Sequence, residues 1–403
     1  MIRAALVAVA LVAAVWGGLH VGWYPHRQIV DYGVYQFYGD AVVSHHAVPY
    51  RDFQLEYPPA ALPMFVVPSL TVSSEYKHVF QLLMAVCLAA AVLGVLSIRG
   101  LRAAAVAALA PLALGSVIVS RFDLWPAALA VLALATALRR RRAASAMLIG
   151  TAFAAKLWPI LLVPLLAVWI ARSAGGRAAL RWLVLATATA AAWFLPFVAL
   201  SPGGVAHSFH AQLARPLQLE SLGGAVLIAS HHLAGTTLHV QDSFGSQNLT
   251  GPGAHAAAIA TTAVGLLALA LLYVSYGRGD AGTAELLRYS AAVVAIAIAF
   301  GKVFSPQFLV WLIPLVPLVR GLRGVVATGF LYASLVLTQL WFPRHYWDLA
   351  DRFAGAQSVE LVLRDLAVVG LAAVLVWPRL EHQMLGEHRA RVEALERVGA
   401  QVQ

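Results

Sequence analysis

The first residues with chemical potential lie in one short segment, Asp31-Tyr32-Gly33-Val34-Tyr35-Gln36-Phe37-Tyr38. Spacings of four and three put Asp31, Tyr35 and Tyr38 on one face of a helix. Val30, Val34, Phe37 and Ala41 are left for an apolar side. A carboxylate can take the proton of an attacking hydroxyl, and tyrosine rings stack on the apolar faces of pyranoses, so the trio reads as a sugar-binding face. The same pattern also describes an amphipathic helix lying at a membrane surface, its tyrosines forming part of an aromatic belt. Further on come Tyr50-Arg51-Asp52 and Glu56-Tyr57-Pro58-Pro59, where the double proline forces extended backbone into the next segment. Asp52 and Glu56 could hold a cation, an acceptor or Arg51, or they could cap turns.

Other polar residues sit within or beside apolar runs. Arg121 and Asp123 flank Phe122 at the end of an expected helix hairpin, where they either pair structurally or meet a substrate. Lys156 lies between two apolar half-helices, and Lys302 lies near a helix end just before Ser305-Pro306-Gln307. Cations at such depth are costly and mark functional positions, although snorkelling to the interface competes with that reading. Arg215, Gln218, Glu220 and Ser221 cluster in a long polar loop, where they order the loop or touch ligand. The paired histidines His45-His46 and His231-His232 point apart on a helix, no HExxH pattern is present, and the single cysteine, Cys87, cannot build a metal site. No Rossmann or P-loop glycine pattern offers a nucleotide site. Neither metal nor cofactor is therefore expected.

The elements that must position these residues are membrane helices. The 403 residues are 61% hydrophobic and 11% charged, against about a quarter charged in soluble domains, and mean hydropathy is +0.78. The net charge of +10 does not point to nucleic acid, because the arginines fall in short loops between apolar runs. The amino-terminal run has no small-x-small cleavage site and reads as a first membrane helix rather than a cleaved signal. With that terminus in the cytoplasm, about twelve crossings follow. Their spans are 4–24, 77–98, 103–120, 124–138, 143–156, 157–171, 182–200, 254–275, 286–303, 306–320, 324–342 and 356–378. Arg99, Arg102, Arg139 to Arg142, Arg172, Arg177, Arg181, Arg278, Arg320, Arg323 and Arg379 then share the cytoplasmic side, and most acids face outward. Parity requires the stretch from Ala60 to Leu70, short and interrupted by Pro63 and Pro68, to lie at the interface instead of crossing. The spans around Lys156 and from Ser305 to Val319 are short and are expected to be kinked or tilted. Residues 1–378 form one membrane-embedded domain, and 379–403 read as a charged cytoplasmic tail helix.

The sequence Asp31-x-x-Val34-Tyr35, then Val48-Pro49-Tyr50-Arg51-Asp52, then Glu56-Tyr57-Pro58-Pro59, resembles the first outer loop of GT-C glycosyltransferases. More closely it resembles the bacterial, largely actinobacterial, polyprenol-phosphate-mannose-dependent mannosyltransferases of glycosyltransferase family 87. Arg121-Phe122-Asp123-Leu124-Trp125-Pro126, Lys156-Leu157-Trp158-Pro159 and Ser305-Pro306-Gln307-Phe308 with Trp311 agree with that group. A Trp-Asp-His-His run that some members carry after Ser-Pro is replaced here by Gln307-Phe308-Leu309-Val310. The resemblance implies an all-α, polytopic GT-C fold with interfacial helices in the first outer loop, and a catalytic acid at Asp31. It further implies a polyprenyl-phosphate-sugar donor, mannose by preference, and a glycolipid or polysaccharide acceptor reached on the outer side of a bacterial cytoplasmic membrane. Substrate contacts are expected from Tyr35, Tyr38, Arg51, Asp52, Glu56, Tyr57, Arg121, Asp123, Lys156, Arg215, Gln218, Glu220, Lys302, Ser305 and Gln307. A polytopic transporter or lipid-linked-sugar flippase is the alternative, with Arg364-Asp365 inside the last helix as the feature that suits it best.

Overall fold

The computed structural model describes residues 2–21 and 29–377. The expected tail helix, 379–403, lies outside the described residues, as does Arg379.

The chain is almost entirely helical. Its helices are α1 (Ile2–Gly18), α2 (Tyr32–Val43), α3 (Leu62–Ser69), α4 (Tyr76–Arg99), α5 (Leu101–Leu114), α6 (Val117–Ser120), α7 (Leu124–Leu138), α8 (Arg142–Ala155), α9 (Val163–Ala174), α10 (Gly176–Leu200), α11 (Pro202–Ala214), α12 (Leu222–Ala234), α13 (Ala254–Arg278), α14 (Thr283–Ala299), α15 (Gly321–Trp341), α16 (Tyr346–Arg352) and α17 (Gly355–Val376). Each expected crossing contains helical structure within its described residues. Four helical stretches, Ser73–Arg99, Gly176–Leu200, Ala254–Arg278 and Gly321–Trp341, are long and apolar enough to cross a membrane by length and composition. Two of the shorter ones are interrupted where the sequence removes backbone donors. The span expected at 306–320 is two 3-10 turns, Pro306–Trp311 and Val316–Leu318, because Pro306, Pro314 and Pro317 cannot donate to a helical ladder. Pro159 likewise leaves a 3-10 turn, Trp158–Leu162, ahead of α9.

Burial sorts the helices into a centre and a rim. Along α14 nearly every residue from Leu286 to Ala299 is buried, and α7 is buried on almost all sides. Large parts of α10 and α13 are open, with Leu195, Leu266 and Leu271 each more than 60% exposed. Apolar side chains turned outward on long helices are what a lipid-facing rim requires. At one end of the bundle, arginines hold the last carbonyls of neighbouring helices. Arg323 Nη2 donates to Trp377 O at 2.5 Å, Arg288 Nη1 to Leu375 O at 2.6 Å, and Arg172 to Gly277 and Gly279 O. A basic side chain satisfies carbonyls left unpaired at a helix C-terminus.

The opposite end carries the elements that do not cross. α2 is pinned at its start: Tyr32 Oη donates to Val119 O at 2.7 Å and accepts from Gln81 Nε2 at 2.7 Å. Its Val34 and Phe37 are 44% and 59% exposed, so these two residues of the apolar side foreseen in the sequence face outward, whereas Ala41 is buried. α3, as expected, is too short to cross, and it packs directly on α2. Their approach is so close that a Cβ on Gly39 would collide with Phe65 O and Ser69 Oγ. One departure from an all-helical chain is the antiparallel hairpin of β1 (His239–Ser243) and β2 (Ser246–Thr250). Its two-residue loop, Phe244-Gly245, has positive φ at both positions, 54° and 65°, which fits the tight turn favoured by twisted strands. Leu219 N bonds Gln247 O and Leu249 N bonds Leu217 O, so the loop before α12 extends this small sheet.

Candidate functional site

A cavity of about 370 Å³ opens at the end opposite those helix-terminal arginines, among α2, α11, the hairpin, the turn at 306–311 and α16. Three acid–base pairs stand at or beside it. Asp31 occupies the N-cap of α2, yet its side chain makes no capping bond. Its Oδ1 pairs with Arg121 Nη1, and its Oδ2 accepts from Tyr35 Oη at 3.1 Å. Arg121 is itself fixed, donating through Nη2 to Ile29 O at 3.1 Å. The carboxylate thus sits at a helix N-terminus, where the backbone dipole favours negative charge, and its side chain keeps 28% exposure toward the cavity.

The second pair is deeper. Asp123 Oδ1 accepts from Lys156 Nζ at 2.6 Å and from Trp311 Nε1 at 2.6 Å. Asp123 is 1% exposed and lies behind the lining, whereas Lys156 reaches it. The ammonium stands over several rings, with Phe122 at 4.8 Å, Trp311 at 5.6 Å and Tyr57 at 5.9 Å. Rings at these distances attract a cation electrostatically. Trp158 and Phe308 sandwich Trp311, at 5.2 and 4.2 Å between centroids, and build an aromatic wall beside Lys156.

The third pair closes the rim. Arg215 Nη2 donates to Glu56 Oε1 at 2.5 Å and to Phe244 O, at the hairpin tip, at 3.0 Å. Gln212 Nε2 also reaches Glu56 Oε1, and Ser208 Oγ donates to Glu56 O.

A fourth carboxyl has a different setting. Glu220 is 2% exposed and makes no ion pair among the described residues. Its Oε2 accepts from Gln218 Nε2 at 2.5 Å, and the same amide donates to Ser305 Oγ at 2.9 Å. Gln218 Oε1 accepts from Phe304 N at 2.9 Å, which locks the amide orientation. Burial pushes the Glu220 carboxyl up to about 8, because water that would stabilise its charge is excluded. The buried Arg364 donates to Glu220 O at 2.7 Å, pairs with Asp365 and lies over the Phe304 ring.

The structure therefore brings Asp31, Glu56, Tyr57, Arg121, Lys156, Arg215, Gln218, Glu220, Ser305 and Gln307 to one cavity. Tyr35 and Tyr38 are placed differently from an open sugar-binding face. Tyr35 is 1% exposed and stacks on Phe65 at 4.6 Å, leaving only its hydroxyl for Asp31. Tyr38 stacks on Phe53 at 5.8 Å outside the cavity. Arg51 and Asp52 pair with each other at the surface, where Arg51 and the Val48 amide hold the Asp52 carboxyl at about 2. Lys302 donates to Leu213 O at 2.7 Å and does not line the cavity. Sequence reasoning passed over Ser208 and Gln212, although with Arg215 their spacing of four and three is a helix-face signal. It also passed over Tyr346 on α16, which no local pattern marks. Among the described residues, no group of three or more His, Cys, Asp or Glu is gathered as a metal site.

No family model matches the sequence, and no curated protein matches it either. The fold is similar to that of ArnT from Cupriavidus metallidurans in its crystal structure bound to undecaprenyl phosphate. That similarity has a TM-score of 0.50 at 16% identity and covers 92% of this chain and 76% of ArnT. The oligosaccharyltransferase of Archaeoglobus fulgidus in its apo form gives 0.44 at 13% identity, and the alignment spans about half of that protein, 55%, against 93% of this chain. The chain is a multi-pass membrane protein with the GT-C fold of membrane glycosyltransferases.

Proposed function

We propose that this protein is a membrane glycosyltransferase that moves a sugar, mannose by preference, from a polyprenyl-phosphate carrier to a glycolipid or polysaccharide hydroxyl on the outer side of the bacterial cytoplasmic membrane. The observation that carries this reading is the cavity that holds Asp31 together with Lys156 and Arg215. Asp31 takes the proton of the acceptor hydroxyl as its oxygen attacks the anomeric carbon. The bond from that carbon to the phosphate oxygen breaks, its electron pair leaves with the lipid phosphate, and the anomeric configuration inverts. Charge grows on the phosphate as the bond breaks, and fixed cations aimed at developing charge are the large term in such a site. Lys156, desolvated among rings, and Arg215, with its forked donors, supply them. Arg121 orients the Asp31 carboxylate. Gln218, Glu220, Ser305 and Gln307 offer neutral and acidic partners to sugar hydroxyls, and Trp158 with Phe308 offers ring faces.

A carrier site on the same face accords with the likeness to ArnT, whose structure holds undecaprenyl phosphate. The buried Arg364–Asp365 pair, which suited a transporter, holds the Glu220 loop through a backbone carbonyl, so no observation favours transport. The test is transfer in nanodiscs from decaprenyl-phosphate-[14C]mannose to glycolipid acceptors, with parallel donors carrying glucose and arabinose. Label is expected to move to acceptor with release of polyprenyl phosphate. Binding of the carrier with no transfer from any of the three donors would contradict the reading.

A further inference from the structure

A second hollow, about 330 Å³, lies at the arginine end of the bundle, where α4 and α7 finish and α14 and α15 start. It stands apart from the Asp31 cavity and shares no lining residue with it. Two guanidinium groups border it, from Arg139, the C-cap of α7, and Arg320, the N-cap of α15. Ser97 and Thr283 add hydroxyls, and Ile98, Leu138, Leu287 and Leu318 supply an apolar wall.

An excess of arginine at one end of a membrane bundle follows from orientation alone, and a solvated guanidinium needs no partner. These arginines are set apart by convergence without compensation. No Asp or Glu lines the hollow, and Glu285, two residues beyond Thr283, is held by Arg288. The Arg320 side chain makes no hydrogen bond or ion pair with a described residue. Arg139 makes one long bond, Nη2 to Ser97 O at 3.4 Å. Arg99 stands close enough to Arg320 for the two charges to repel, and its Nε is buried without a hydrogen-bond partner. Thr283 and Ala284, the first residues of α14, border the same space, and the N-cap Gly282 has no side chain to offer their amides. The positive end of that helix therefore adds to the arginines. Charge of one sign around a concave space concentrates a counter-ion there.

We propose that this hollow binds a phosphate group through the forked donors of Arg139 and Arg320, and that the phosphate belongs to the headgroup of an anionic lipid in the adjoining leaflet. The hollow is roomier than a phosphate needs, and its apolar wall takes the glycerol that follows. It also sits where the helices end, at headgroup depth, and basic pockets between membrane helices suit such headgroups. A choline headgroup brings its own cation against the arginines, so the preference is for net negative charge. A phosphate seated here ties together α4, α7, α14 and α15, and so binds the folded chain alone.

The test follows the melting temperature of the full chain in a neutral detergent during titration with dihexanoyl phosphatidylglycerol, dihexanoyl phosphatidylcholine or inorganic phosphate. A ligand of the folded state raises that temperature, which gives a dissociation constant for each. Phosphatidylglycerol is expected to bind about tenfold or more tighter than phosphatidylcholine, and to lose about tenfold or more in R139Q/R320Q. Each single variant should lose part of that affinity. Both side chains are exposed, so without ligand the double variant should melt as wild type does. R177Q/R181Q removes the same charge from exposed positions outside the hollow and should bind the lipid as wild type does. Inorganic phosphate bound as tightly as phosphatidylglycerol, with the same dependence on Arg139 and Arg320, would keep the phosphate site and overturn its assignment to a lipid. Equal losses in the two double variants would reduce the effect to diffuse surface charge and overturn the site. Unchanged affinity in R139Q/R320Q, or no binding of either phosphatidylglycerol or inorganic phosphate, would overturn it as well.

Discussion

At the residue scale, the cavity is governed by how each carboxylate is compensated. Asp123 and Lys156 are close, buried and mutually dependent. Lys156→Met should destabilise the protein by about 3–5 kcal/mol, the usual cost of stranding one buried charge. The double variant K156M/D123N should recover most of that loss, because Asn retains an acceptor for Trp311 Nε1. Unfolding of the single and double variants in the same detergent checks this, and an equally unstable double variant would contradict it. Glu220 gives a pH signature instead. Its folded carboxyl is raised from 4.5 to about 8, so between those values the folded state holds a proton that the unfolded state has lost. Stability therefore declines as pH rises through that window and levels off above it. Glu220→Gln should remove this component of the decline, read as a flatter melting temperature against pH from 5 to 9. Parallel profiles for wild type and variant would rule out the buried, uncharged acid.

At the element scale, position comes from short helices and broken ones. α2 carries Asp31, and it is held by Tyr32 on Val119 and by the close seat of Gly39 against α3. Gly39→Ala should cost about 1–3 kcal/mol through overpacking against the Phe65 carbonyl. Gly33→Ala, which meets nothing within 4 Å, should instead add about 0.5–1 kcal/mol by removing a flexible residue from a helix. Melting temperatures of the pair should move in opposite directions, and a common direction would contradict the packing described. Much at this scale was readable in advance. Pro63 and Pro68 marked a short, interrupted α3, and the shortness of the span from Ser305 to Val319 marked a kinked or tilted one. The reach of α2's tyrosines was not readable, because period and spacing assign a face without saying what covers it. Here α3, Phe80 and Phe122 cover it. The hairpin was also missed, since its strands, His-Val-Gln-Asp-Ser and Ser-Gln-Asn-Leu-Thr, lack the alternation that betrays a half-buried strand. Arg215 was foreseen as a site residue, but its double hold on Glu56 and the hairpin tip depends on a contact across 159 residues.

At the scale of the whole molecule, charge and shape divide the bundle into two ends. Helix-terminal arginines gather at one, and most of the acids and the cavity at the other. Composition alone announced a membrane protein, and the arginine loops announced which ends belong together. A cysteine at Gln241, exposed on β1, should react with an impermeant maleimide added to intact spheroplasts, whereas one at Arg141 should react only after permeabilisation. The native Cys87 is buried and contributes little background. Reversed labelling would turn the cavity toward the cytoplasm and remove the outer acceptor.

The measurement that reaches the centre of the mechanism is single-turnover transfer from the labelled lipid-linked sugar by wild type and Asp31→Asn at matched donor occupancy. Asn preserves size and the contact with Tyr35 but cannot accept the acceptor's proton. The expected result is a rate lower by about two to four orders of magnitude, the usual share of general-base catalysis, with donor binding retained and the protein still folded at the assay temperature. Transfer by Asp31→Asn at the wild-type rate would contradict the assignment of Asp31 as the base.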